Sequence, residues 1–157
     1  MGLLNYSTTI SVAKTVGEIT EMLASHGARS ILLEYDQGQA VVVTFLIATP
    51  HGDRDYRLPA RMDGVWRVLV EQGQQGKVPK RFVTREQAAR VGWRIVRTWL
   101  EAQLAIIESE MVSLPEIMLP FMTGQDGRTI YEAMLERRLA LPPGRKEASD
   151  AQTANGH

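Results

Sequence analysis

The stretch TREQAARVGWRIVRTWLEAQLAIIESEMV, residues 84–112, decides the reading of this chain, because no other run keeps one periodicity for so long. At about 100° per residue, Ala88, Val91, Ile95, Val96, Trp99, Ala102, Ile106 and Ile107 fall on one broad side. Arg90, Arg94, Arg97, Glu101 and Glu108 gather on the other. The spacing predicts one long helix with a wide apolar face and a narrow charged one. Thr84, with Gln87 three positions on, suits its start. Such a helix must lean on a second layer, which the rest of the chain has to supply.

Working back toward the start, residues 61–72 carry Met62, Val65, Trp66, Leu69 and Val70 at helical spacing, with Gly73 as the expected stop. Residues 30–35 and 40–48 are rich in β-branched and other apolar side chains, and Asp36-Gln37-Gly38-Gln39 between them has hairpin-turn composition. The second of these strands is apolar on both faces, which predicts a central strand covered on both sides. Residues 54–58 suit an outer strand that Pro59 ends. Residues 5–12 alternate Tyr6, Thr8, Ile10 and Val12 with Asn5, Ser7, Thr9 and Ser11, predicting a first strand. Thr15 and Glu18 have the spacing of a capping box, opening a helix over 15–26 that Gly27 would close.

Beyond residue 112, Pro115 and Pro120 limit any helix to a turn or two, and residues 129–141 form the last amphipathic segment. Met111, Met118 and Met122 read as gap fillers between helices. Residues 142–157 are polar without an apolar repeat, so a disordered tail is expected. The predicted fold is α+β: an antiparallel sheet of about four strands, in the order β-α-β-β-β-α-α-α, within one domain over 1–141.

Length and a 44% hydrophobic content are ample for one core. The absence of cysteine excludes disulfides, thiolate metal sites and a cysteine nucleophile. No run approaches the roughly 20 apolar residues of a membrane span, and residues 1–12 lack the basic lead and apolar core of a signal peptide. A soluble cytoplasmic protein with no membrane partner is therefore expected.

The formal net charge is zero, but the charges are segregated. Residues 54–97 hold eleven basic side chains against four acidic ones, and residues 98–136 hold one against seven. Lys77, Lys80, Arg81 and Arg85 crowd a loop and helix start, from which Arg90 and Arg94 continue along the long helix. A stripe of that kind binds phosphate backbones by releasing counterions. The opposing reading is a solvated face, since Arg97 and Glu101 form an i, i+4 pair. Trp93, off the centre of its stripe, is the ring best placed to stack on a base, whereas Trp66 and Trp99 read as core.

Other candidates are thinner. His51, Asp53 and Asp55 at a hairpin tip could ligate a metal or share a proton, as in a small hydrolase, although turns collect such residues for backbone reasons. Gly73-Gln74-Gln75-Gly76 matches the G-x-x-G that clamps nucleic-acid backbones, yet Val78-Pro79 follows where a helix should begin. The adjoining basic and acidic blocks would let two copies pair antiparallel along the long helix, and Leu32, Val42 and Leu46 could leave the sheet's outer face apolar. No nucleophile elbow, helical histidine pair, dinucleotide fingerprint or Ser-x-x-Lys motif is present, so no cofactor and no metal is indicated. The leading expectation is a small non-catalytic module that binds nucleic acid, DNA or RNA, through Lys77, Lys80, Arg81, Arg85, Arg90, Arg94 and Trp93. A homo-oligomerisation module and a metal-dependent hydrolase are the alternatives.

Overall fold

The computed structural model describes residues 1–137. Its first regular element is helix α1, Val12–Ser25, opened by the Ser11 hydroxyl, which accepts the Lys14 amide at 3.1 Å. The expected strand over residues 5–12 does not form. Tyr6 and Thr8 instead donate backbone hydrogen bonds to Leu3 and Asn5 in successive turns, with Asn5 left-handed at φ 63°. Alternation alone misled here, because a strand also needs a neighbour, and side chains take its place. The Gln87 amide donates to the Tyr6 and Thr8 carbonyls, both at 2.9 Å, and Gln72 Oε1 accepts the Leu3 amide at 2.8 Å. Thr15 is not a cap but a fully buried residue one turn inside α1.

Strands β1 (Ala28–Asp36) and β2 (Gln39–Thr49) pair antiparallel through the turn Gln37-Gly38, where both residues are left-handed, as a two-residue hairpin requires. β3 (Gly52–Arg57) returns along β2 after Pro50-His51. The fourth strand is β4, Met122–Thr123, which pairs with Tyr56 and Asp55 and gives the order β1-β2-β3-β4. The class and strand number agree with the sequence reading. The element order differs: no strand precedes α1, and the last strand arrives late, too short for any periodicity to announce it.

α2 (Met62–Gln74) and α3 (Arg85–Glu108) follow the sheet, then α4 (Leu114–Met118) and α5 (Ile130–Glu136). Thr84 caps α3 by accepting the Gln87 amide at 3.0 Å. α2 runs through Gly73 rather than stopping there, and the glycine serves packing instead: a Cβ at this position would lie 2.8 Å from Val83 Cγ2. The expected disorder of residues 142–157, and the end of the last predicted helix at 138–141, lie outside the described residues.

α1 and α3 cover one face of the sheet. Val16, Ile19 and Leu23 of α1, Trp93, Val96, Leu100 and Leu104 of α3, and Val43, Phe45 and Tyr56 of the strands form the main core. Burial of each such side chain stabilises the fold by about 1.5–3 kcal/mol. The buried line of α3 is therefore rotated from the predicted one. Trp93 is at its centre, whereas Trp99 sits at its border against Phe121, ring centroids 5.4 Å apart. The expectation that β2 is covered on both faces also fails: Val43 and Phe45 are buried, but Val42, Thr44 and Leu46 on the other side are half-exposed. Among the described residues no helix is long and apolar enough to cross a membrane.

Candidate functional site

A second, smaller core holds the tip where α2 turns into α3. Leu69, Val78 and Ala88 are buried there, surrounded by Leu3, Tyr6, Val65, Trp66, Phe82 and Val83. Its chemistry follows from the chain between the helices. The amides of Lys77 and Val78 both donate to the Gln72 carbonyl, at 2.9 and 3.3 Å, which folds the loop back and drives Val78 inward. Lys80–Phe82 then makes one 3-10 turn, and the Phe82 ring meets Tyr6 edge-on at 5.6 Å. With Val78 and Phe82 turned in, Lys77, Lys80 and Arg81 are left exposed.

The tip cations have few internal obligations. Among the described residues no carboxylate lies within 4.0 Å of Lys77, Lys80 or Arg81. The Arg81 guanidinium lies 4.8 Å from the Phe82 ring centroid, and that of Arg85 lies 4.8 Å from the Trp66 ring. Arg85 also contacts Asp63 at 2.9 Å, an exposed pair of small energetic weight. Trp66, read from sequence as core, is half-buried and carries the arginine on its face. Its position beside Val65 gave no sign of this, since the apolar stripe passes through both.

Farther along α3 the cations are committed to the fold. Arg94 and Arg97 both bind the Glu18 carboxylate of α1, Arg97 through Nε at 2.9 Å, and Arg97 also reaches Glu101 at 2.6 Å. Their side chains are only 16% and 25% exposed, so the supposed wet face of α3 is largely a seam against α1. Burial alone would raise the Glu18 pKa; the two guanidinium groups outweigh it and hold the carboxyl below its ordinary range. Arg90 is half-buried and donates weakly to Gln87 Oε1 at 3.4 Å. Trp93 is wholly buried and gives its indole N–H to the Ala40 carbonyl at 3.1 Å, so it offers no ring to a ligand. Of the seven residues read from sequence as one interface, the structure gathers Lys77, Lys80, Arg81 and Arg85 at the tip. It commits Arg94 and Trp93 to the fold, whereas Arg90, half-buried, lines one cleft together with Arg85.

The other candidates resolve locally. His51 sits exposed in the β2–β3 turn, its amide donating to Thr49 Oγ1 at 3.2 Å. Asp53 is engaged by Arg29 at 3.2 Å. Among the described residues, no three His, Asp or Glu side chains are grouped to hold a metal ion. Gly73 serves the contact with Val83, and Gly76 takes φ +73° where the chain leaves α2, so packing and backbone conformation account for both glycines. Compared with protein-family models, with curated proteins and with solved structures, the chain matches none.

Proposed function

We propose that this protein binds nucleic acid through the tip formed by Lys77, Lys80, Arg81 and Arg85. The observation that carries the reading is the free state of the first three of these: in a chain of zero net charge, they are exposed cations without a carboxylate partner among the described residues. Their backbone is held by the small core and by the strap of residues 3–8, so the charges are presented at low cost in backbone ordering. The Arg81 and Arg85 guanidinium groups each lie over an aromatic ring, 4.8 Å from its centroid, and such planar forks suit phosphate oxygens.

The reading is tested by fluorescence anisotropy with labelled single- and double-stranded oligonucleotides. Binding that rests on about three phosphate contacts would have a log–log salt slope near −2.7 on duplex, a loss of about 40-fold between 50 and 200 mM salt. Absence of binding at micromolar protein, or an affinity indifferent to salt, would overturn it. A carboxylate-rich protein partner is distinguished by the same experiment, since it would leave both oligonucleotides unbound.

A further inference from the structure

β1 is the terminal strand of the sheet, and the side of its backbone facing away from β2 has no strand beside it among the described residues. Natural edges of this kind are usually blunted by proline, lysine, a central bulge or a covering segment. The middle of β1 has none of the first three. Its irregularities fall at Ala28/Ser30 and Glu34/Tyr35, leaving Ser30-Ile31-Leu32-Leu33-Glu34 as a regular stretch with no proline or cation. Leu32, on the outer face, is 59% exposed, and Glu34 on the same face has no cation within 4.0 Å among the described residues.

We propose that two copies of this chain associate through β1, antiparallel, about a twofold axis at Leu32. The register follows from the side chains. A twofold normal to the sheet keeps each residue on its own face, so Leu32 meets its own copy, Ile31 meets Leu33 of the second copy, and Ser30 meets Glu34 of the second copy. Arg29 also reaches the outer face, since its guanidinium touches Asp53 there, and it lies next to Ser30. The pairing thus sets an arginine beside each unpartnered Glu34 on both sides of a leucine contact. Shifting the axis to Leu33 places Glu34 against Leu32 and loses both pairs. On the inner side, a cleft of about 830 Å³ lies between α1, the end of the β1–β2 hairpin and the start of α3, with Leu33 and Tyr35 of β1 and Arg85 and Arg90 of α3 among its walls. Such a pairing is short beside the roughly 800 Å² per partner of a standard interface, so a micromolar dimer is expected. The strand pairing itself uses none of the tip cations, and it differs from the pairing along the long helix that the charge blocks suggest, because Arg94 and Arg97 are occupied within one chain.

Sedimentation of the full chain from about 5 to 500 µM tests it. The expected result is a rise from the 17.5 kDa monomer toward twice that mass. Leu32→Lys, at an exposed position, would abolish the rise while leaving the circular dichroism and melting curve of the monomer in place. Because the chain has no cysteine, Leu32→Cys reports the register: oxidation would crosslink it across the axis, whereas Leu46→Cys, one strand inward, would stay uncrosslinked. A monomer at all concentrations overturns the proposal and leaves the edge to a foreign extended peptide. A dimer indifferent to Leu32→Lys, or one crosslinked equally through Leu46→Cys, overturns it as well.

Discussion

The α2–α3 tip and the α1–α3 seam draw on the same run of basic residues and treat it in opposite ways. At the seam, Arg94 and Arg97 close on one carboxylate, Glu18, and are mostly shielded from water. At the tip, Lys77, Lys80 and Arg81 project from a loop whose apolar members, Val78 and Phe82, hold it down. The first set stabilises the fold and is unavailable to a ligand; the second leaves the fold nearly indifferent and is available. A count of charge along the sequence adds the two together, although only one is a surface property.

That contrast can be broken at the seam first. Glu18→Ala leaves two poorly solvated guanidinium groups without their shared counter-charge, and the expected loss is about 2–3 kcal/mol in urea unfolding, with oligonucleotide binding by the folded protein unchanged. A variant as stable as the parent would show that Arg94 and Arg97 are better solvated than their burial implies. At the tip, replacing Lys77, Lys80 and Arg81 together by alanine should invert the pattern. Oligonucleotide affinity is expected to fall at least tenfold and the salt slope to flatten, while stability moves by no more than about 0.5 kcal/mol.

A titration sharpens the comparison further. A carboxylate whose pKa is lowered on folding stabilises the native state above its unfolded pKa, and that contribution disappears as pH falls through the folded value. Glu18 is such a group, so the parent should lose stability on acidification below the ordinary carboxylate range. Glu18→Gln should be less stable at neutral pH and show a shallower acid limb, measured by unfolding at a series of pH values. The smallest effect is expected from Arg85→Ala: its exposed pair with Asp63 and its contact with Trp66 together contribute within about 1 kcal/mol. A blue- or red-shifted Trp66 emission on oligonucleotide addition, lost in Arg85→Ala, would show that this arginine moves when the tip is occupied.

The sequence made α2, α3 and the β1–β2 hairpin legible because each carries a long period or a turn with a mechanism behind it. Residues 5–12 were misread for want of a neighbour: their carbonyls are taken by Gln87, about eighty positions away, which no local pattern records. β4 escaped because two residues cannot show alternation. Of the candidate site, the loop cations were visible as a cluster of Lys and Arg beside Pro79 and two glycines. The fate of Arg94 depended on Glu18, seventy-six residues earlier, and Trp93 rather than Trp99 is buried because α3 is turned further toward the sheet than its hydrophobic count implied.

The strap of residues 3–8 has a practical corollary for anyone who handles this molecule. Segments outside helices and strands are ordinarily the cheapest to alter, but this one forms part of the underside of the basic tip through Leu3, Tyr6 and two glutamine side chains. Removing residues 1–8 would take away packing partners of Val78 and Phe82, so a protein shortened there would carry every tip cation on a loop that is no longer held.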